Sequence, residues 1–402
     1  MKLSKRWLTV FLIFGFACAL WQARRVTSAP AGPTEQGLTE SDVFVCGREG
    51  YNTFRIPAII ATTKGALLAF CEGRKNSGSD TGEIDMLVKR SIDSGRTWGE
   101  QQVVWHDDSN TCGNACPVVD QTTGTVWLLL THNLGQDTEE AIGQRRSTGT
   151  RTLWVCKSKD EGATWSKPVE ITRTTKNPAW GWYATGPGVG IQLQHGPHAG
   201  RLLIPCNHSV QTNPHRPELF EYGDNVIYSD DHGRTWKLGG VVPAVGVDEP
   251  QVVELEDGSL MMNMRPSYGN LRVVSFSKDG GETWGQVWHD RALPDPPCQA
   301  SLIRYTRRPG STRNRLLFSN PPSSKERVNL TVRLSYDEGE TWAVSKRICN
   351  AGSGYSCLVA LPDMTIGCLY ERGRDKDPKS SVGKITFARF SLDWLTDGAD
   401  HL

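Results

Sequence analysis

Six short apolar runs in this 402-residue chain each end in side chains able to bind or orient a polar ligand. They are GALLAFCEGR from Gly65, GTVWLLLTHN from Gly124, GRLLIPCNHS from Gly200, GSLMMNMRP from Gly258, NRLLFSNPP from Asn314 and MTIGCLYERG from Met364. Their polar ends put forward Glu72, Arg74, Asn133, Asn207, Arg265, Asn320 and Glu371. Guanidiniums bind anions through paired N–H donors, carboxylates orient guanidiniums or carry protons, and carboxamides both donate and accept. If the six runs are equivalent, these seven residues share one pocket. A zinc site is a poor reading, because histidines and cysteines do not recur at ligand spacing.

Convergence of equivalent runs requires repeated units. The runs start 50 to 76 residues apart, enough for about four short strands per unit, and an array of such sheets reads as a β-propeller. On this reading the apolar runs are the inner strands and their polar ends face the central channel. A second repeat runs in step with the first: Ser-x-Asp-x-Gly-x-Thr-Trp begins at Ser91, Ser158, Ser229, Ser277 and Ser335. Each copy follows an alternating run, which places it on a hairpin turn. Asp93, Asp160, Asp231, Asp279 and Asp337 are expected to bind amides of their own turns, with the glycines at positive φ. The tryptophan of each copy starts the returning strand and packs between sheets, on the outer rim.

With 45 basic and 44 acidic side chains the formal net charge is +1, so there is no global field to draw in nucleic acid or anionic lipid. Any preference for an anionic ligand must be local. Lys2, Lys5 and Arg6 precede an apolar run from Trp7 to Trp21, the order of an export signal, too short to span a bilayer easily. Cleavage before Gly37 is the first expectation; an uncleaved anchor giving membrane association is the second. The chain therefore divides into a leader and flexible lead-in over residues 1–36 and one propeller over 37–402. Sequons at Asn207 and Asn329 are compatible with export. Of 11 cysteines, Cys18 lies in the leader. Cys112 and Cys116, four apart in a Gly/Pro loop, look placed for a local bridge, whereas Cys71, Cys206 and Cys368 are as well read as buried thiols.

Phe54-Arg55-Ile56-Pro57 resembles the Phe/Tyr-Arg-Ile-Pro motif of sialidases, and the five repeats match the Asp boxes of that family. The resemblance runs from about Val43 to Leu395. It includes Glu72-Gly73-Arg74, Ser79-Asp80, Gly186-Pro187-Gly188, Asp248-Glu249, Asn263-Met264-Arg265, Arg327 to Thr331, Gly354-Tyr355-Ser356 and Leu369-Tyr370-Glu371. It implies an all-β, six-bladed propeller that hydrolyses terminal α-linked sialic acids from glycoproteins, glycolipids or oligosaccharides. It also implies that Arg55, Arg265 and Arg327 hold the substrate carboxylate, that Glu371 orients Arg55, and that Arg74 contacts the sugar ring. Tyr355 becomes the nucleophile, Glu249 its base, and Asp80 the general acid and base. These residue types suit the substrate. Sialic acid carries a carboxylate on its anomeric carbon, so an anionic nucleophile would meet like-charge repulsion, whereas a neutral phenol with a neighbouring base would not. The implied mechanism retains configuration through a sialyl-tyrosine intermediate and uses no metal or organic cofactor.

Tyr370 and Glu254, near these motifs, are read as structural instead, and Asp85 is the runner-up to Asp80, although its place in the strand before the first box suggests a structural role. Trp180-Gly181-Trp182-Tyr183 is open between lining the sugar site and packing in the core. A trans-sialidase would use the same residues, and a non-catalytic sialic-acid-binding propeller would keep the boxes and lose the pocket. The family includes both vertebrate lysosomal and exported bacterial enzymes, so the expected location is secreted or lumenal.

Overall fold

The computed structural model describes residues 37–402 except 214, 217, 375, 376 and 378. The leader and lead-in lie outside the described residues. Twenty-four strands form six antiparallel sheets of four, with one further two-residue strand in the third. Blade 1 is Thr53–Ala61, Leu67–Arg74, Ile84–Ser91 and Gln102–Trp105. Blade 2 is Thr111–Val119, Val126–Asn133, Thr152–Ser158 and Val169–Glu170, joined to blade 1 by a single parallel bridge between Ile84 and Thr111. Blade 3 holds Tyr183–Thr185, the extra strand Ile191–Gln192, Leu202–Gln211, Phe220–Ser229 and Lys237–Val241. Blade 4 is Val247–Glu254, Leu260–Pro266, Leu271–Ser277 and Trp288–Pro294; blade 5 is Ser301–Thr306, Arg315–Asn320, Thr331–Ser335 and Val344–Arg347. Blade 6 takes three strands from the C-terminal end, Ser353–Ala360, Ile366–Arg372 and Lys384–Phe390. Its fourth is Leu38–Val45, paired from Leu38↔Phe390 to Val45↔Lys384.

The first strand of each blade is the inner one. Thr53–Ala61 touches both Thr111–Val119 and Ser353–Ala360, and Ser301–Thr306 touches both Val247–Glu254 and Ser353–Ala360. This corrects the sequence reading. The six apolar runs are the second strands, flanked by a strand on each edge and by a neighbouring blade on each face, and such a position selects continuous apolar sequence. Four of the six inner strands are broken by bulges near their starts. Register shifts occur between Arg55 and Ala58, Gly113 and Cys116, Asp248 and Gln251, and Ser353 and Ser356. A bulge re-aims a side chain that a regular strand would turn toward the neighbouring sheet.

The five boxes occupy the turns between third and fourth strands, at the rim. In the first, Ser91 Oγ donates to Asp93 Oδ1 at 2.8 Å and accepts from Gly95 N at 2.9 Å. Asp93 in turn accepts from Thr97 N at 2.9 Å and Thr97 Oγ1 at 2.6 Å. The other four repeat this pattern. Each box faces the preceding blade. A Cβ on Gly95 would fall 2.1 Å from the Phe387 ring of blade 6, and one on Gly162 2.5 Å from Leu68 of blade 1. Gly233, Gly281 and Gly339 likewise abut Trp127, Leu203 and Met261 of blades 2, 3 and 4. The tryptophans lie just ahead of the fourth strands rather than starting them: Trp236 directly precedes Lys237, and Trp98 stands further ahead of Gln102. Trp98, Trp165 and Trp236 pack on Phe387, Phe70 and Trp127 of the preceding blades. Blade 6 has no box; there Ser391 caps a short helix, Leu392–Leu395, whose Trp394 packs on Phe390.

All ten cysteines of the described residues are free. Cys112 and Cys116 do not bridge, because the intervening bulge sends them into two different interblade cores. Asn207 is buried in a strand and donates to Asp248, so the folded chain cannot present that sequon for glycosylation.

Hydrogen bonds from Thr164 pull the Asp160 carboxyl down to about 2, so its contribution to stability is complete above the ordinary value of about 3.9 and is lost as pH falls through 2. Replacing the equivalent Asp231 with Ala removes the acceptor of Thr235 and Ser229 and should lower stability by about 1–2 kcal/mol. The melting temperature should fall with turnover at 25 °C unchanged; a normal melting temperature with lost turnover would contradict a structural role.

Candidate active site

The bulged inner strands of blades 1, 4 and 6 and a loop of blade 5 point their side chains at one place. Arg55 extends from the first, where the bulge sets Ile56 at φ 61°. Glu371, from the second strand of blade 6, receives Arg55 Nε at 3.0 Å and Nη2 at 3.3 Å. The same carboxylate accepts the backbone N–H of Ile56 at 3.0 Å and of Tyr355 at 3.1 Å. Tyr355 Oη donates to Glu249, which sits on the blade 4 bulge at φ 40°. Arg265 Nη1 reaches Glu249 at 2.6 Å and Tyr355 Oη at 3.2 Å. Arg327 donates to the Pro297 carbonyl at 2.8 Å, and its guanidinium carbon lies 5.4 Å from the centre of the Tyr355 ring; that of Arg55 lies 5.0 Å away. Three guanidiniums from three blades therefore surround one phenol.

Asp80 stands on the Lys75–Glu83 loop with its side chain 61% exposed, 2.7 Å from Arg74 Nη2 and 3.7 Å from Arg55 Nη1. Arg74 is itself fixed by Glu72 and by the Gly78 carbonyl. Burial alone would raise the Asp80 carboxyl, but the guanidiniums of Arg74 and Arg55 outweigh it and hold it below the ordinary value. Tyr355 moves the other way. Burial, then the Glu249 carboxylate, push its phenol well above its usual range against the pull of Arg265, Arg327 and Arg55. The phenol is thus neutral at rest, with its proton already directed at a carboxylate oxygen.

All eight residues named by the family resemblance are brought together. Of the seven named from the run ends, Arg74, Arg265 and Glu371 reach the pocket and Glu72 braces Arg74. Asn207 supports Asp248. Asn133 and Asn320 are spent on structure: the first bonds the Leu134 and Asp137 carbonyls and Arg151, the second Pro294, Asp295 and Arg333. The three residues read as structural have structural partners, Tyr370 with Glu40, Glu254 with Arg307 and backbone amides, and Asp85 with Tyr51 and His106. Trp180 and Tyr183 are core, with Trp180 stacked on His208 at 3.6 Å; Trp182 lies under Arg151, 4.1 Å from its guanidinium carbon.

Sequence reasoning missed several groups. Asn114, at φ 54° on the blade 2 bulge, binds Glu72 through its N–H and receives Arg151, which burial pulls down to about 10. Glu139, at the start of the short helix Glu139–Gly143 of blade 2, accepts from Oη of Tyr222, on the Phe220–Ser229 strand of blade 3, at 2.6 Å. Behind Glu249 stand two more acids. Burial and the Glu249 charge push Asp248 up to about 7, while burial holds Asp224 well above the carboxylate range, and both Asp224 oxygens lack a partner among the described residues. A positional signal was available for Asn114 alone of these: it lies near the start of an inner strand, as Arg55 and Glu249 do.

Fold and pocket define a six-bladed propeller with an anion-clamping centre beside a carboxylate-bound phenol. Residues 65–368 match the family described as BNR repeat-like domain. The chain is 40% identical over 387 residues to a sialidase of Micromonospora viridifaciens, covering 93% of this chain and 57% of that protein, so it spans little more than half of that relative. It is 32% identical to an exo-alpha-sialidase of Aspergillus fumigatus, covering 88% of this chain and 87% of the other. Among solved structures, the Hadza microbial sialidase Hz136 superposes with TM-score 0.77 at 32% identity, covering 89% of this chain and 69% of that one. The chain belongs to the sialidase family.

The raised Asp248 gives a pH test. A carboxyl raised on folding contributes stability that is complete below its unfolded value of about 3.9 and lost as pH rises through about 7. Asn at this position keeps the Oδ1 acceptor for Asn207 and the Glu249 N–H but cannot ionise. Asp248→Asn should therefore gain stability relative to wild type between pH 5 and pH 8. Equal differences in unfolding midpoint at the two pH values would refute the assignment.

Proposed function

We propose that this chain is an exo-α-sialidase that cleaves terminal sialic acids from glycoconjugates with retention of configuration. The observation that carries the reading is the meeting of Arg55, Arg265 and Arg327 around the Tyr355 side chain, whose Oη is bonded to Glu249. Guanidiniums stay charged throughout the working pH range and match a carboxylate in plane, so three of them select a sugar bearing an anionic group at its anomeric carbon. Tyr355 Oη then attacks that carbon while its proton passes to Glu249, and Asp80 gives a proton to the departing glycosidic oxygen. In the second step Asp80 takes a proton from water, the water oxygen displaces the tyrosyl oxygen, and Glu249 returns the proton to Tyr355.

Asp80 must be protonated to begin, yet Arg74 and Arg55 favour its anion. Substrate changes that balance. A carboxylate lodged on Arg55 offsets one of the two guanidinium charges and places a like charge nearby, which raises Asp80 toward the acid form. The electrostatics thus couple acid catalysis to occupancy of the anion site.

Tyr355→Phe removes the attacking oxygen and leaves the ring between its arginines. Release of sialic acid from α-sialyllactose should fall by about 10³-fold or more with the fold intact. Unchanged turnover would remove Tyr355 from the mechanism, and a wild-type chain inert toward α2,3-, α2,6- and α2,8-linked substrates would remove the proposed activity. Running the assay with excess lactose separates release into water from transfer to an acceptor.

A further inference from the structure

We propose that a groove on the outer edge between blades 4 and 5, apart from the catalytic pocket, binds the neutral sugars of a glycan chain. The groove encloses about 910 Å³, within the range of sites that hold small organic ligands. One wall is the face of blade 4 that carries Met261, Asn263, Val274 and Phe276; the other is the blade 5 box at Glu338, Gly339 and Trp342. Arg265 lies beyond Asn263 at the channel end of the same strand, but none of the residues placed around Tyr355 lines the groove.

Three features indicate the ligand. The Trp288 ring is stacked on Phe276, with centroids 4.8 Å apart and planes 16° apart, and Trp288 remains 47% exposed. One ring face is backed by an aromatic support and the other is open, a rigid platform whose electron-rich surface suits the polarised C–H face of a hexose. The second is a buried donor without a partner. Asn263 is 1% exposed; its Oδ1 accepts Arg272 Nε at 2.7 Å, but its Nδ2 finds no acceptor among the described residues. An unmade hydrogen bond at a buried amide is costly, and a hydroxyl or acetamido carbonyl oxygen would satisfy it where a cationic side chain would not. The third is charge. Five acids border the groove, Glu256, Asp257, Asp290, Glu338 and Glu340, against Lys278, His289 and Arg291. That balance disfavours an anionic sugar or polymer while offering acceptors for hydroxyl groups.

The two sites then have different tasks: the central pocket selects the acidic terminal sugar, and the groove holds neutral sugars of the same or an adjoining chain. Tethering of this kind raises the local concentration of cleavable ends on a branched or clustered substrate without altering the chemical step.

Titrating the full chain with N-acetyllactosamine, followed by NMR, should give saturable binding with a Kd of about 1 mM and shifts in the Trp288 indole and Asn263 side-chain amide resonances. Trp288→Ala should weaken binding about tenfold or more, and Trp288→Tyr should restore most of it. Trp288→Ala gives up the stacking on Phe276 and should lower the melting temperature modestly, whereas Trp288→Tyr should keep it near wild type, so binding is compared at a temperature where both variants are folded. With a sialylated mucin as substrate, Trp288→Ala should lower kcat/KM at least threefold or so, while a small fluorogenic sialoside is turned over as by wild type. Absence of N-acetyllactosamine binding, binding unaffected by Trp288→Ala, or binding of oligolysine in its place would overturn the proposal. The sugar titration reads the groove even if no sialoside is cleaved, so it stands or falls separately from the proposed activity.

Discussion

The Glu371 carboxylate ties together the segments on which the site depends. It takes two guanidinium N–H groups of Arg55 and the backbone N–H groups of Ile56 and Tyr355, and its side chain is almost fully buried. A buried carboxylate is tolerable only when its lone pairs are filled and its charge is matched, and here all four donors come from the segments that must be positioned. Three of these contacts hold the blade 1 bulge and one holds the blade 6 inner strand. The same group therefore fixes the direction of Arg55, fixes the backbone of Tyr355, and bridges the seam at which the first and last blades of the ring meet.

From that anchor the electrostatics of the pocket follow. Three guanidiniums lie near one phenol in a chain whose overall charge is nearly neutral, so the attraction for an anion is a property of this pocket alone. The arginines lower the cost of a developing tyrosinate, while Glu249 raises that cost and supplies the acceptor for the proton. Neither influence alone makes a good nucleophile. Without the arginines the anion is too costly in a buried site, and without Glu249 the proton has nowhere to go. Behind Glu249, the elevated Asp248 and Asp224, whose side-chain oxygens have no partner among the described residues, keep further negative charge from accumulating, because burial favours their protonated forms.

Much of the fold was legible because its signals are local. A box closes hydrogen bonds within five residues of itself, so its chemistry is written in consecutive letters. The apolar runs were also legible as repeated strands, but their depth was misjudged. Continuous hydrophobicity marks the strand covered on every side, which is the second; the strand at the axis is interrupted by bulges and by polar residues that face the channel. Arg55, Glu249 and Tyr355 were reached only through motif resemblance, since no alternation rule anticipates a residue re-aimed by a bulge. Asn114, Arg151, Glu139 and Tyr222 escaped for a related reason: their partners are distant in sequence and each residue is unremarkable in its own neighbourhood. Two local signals misled. The four-residue spacing of Cys112 and Cys116 ignored the bulge between them, and the Asn207 sequon lies in a buried strand.

Drawing a site from several blades demands that the blades keep their places, and the rim repeats answer that demand. Each box presses its glycine and, in three cases, its tryptophan against the blade before it, so five of the six interfaces carry the same staple. The remaining interface, between blades 5 and 6, is filled instead by the short C-terminal helix, whose Trp394 joins a core containing Tyr305, Leu317 and Leu330 of blade 5. Blade 6 is completed by Leu38–Val45, so closure of the ring depends on a strand from the other end of the described chain. Because Tyr355 and Glu371 both belong to that blade, the strand which closes the ring also supports the nucleophile and its anchor. Rim and centre thus have separate sequence requirements but a shared mechanical one, and a propeller can vary its rim freely only where the substitution leaves the preceding blade in contact.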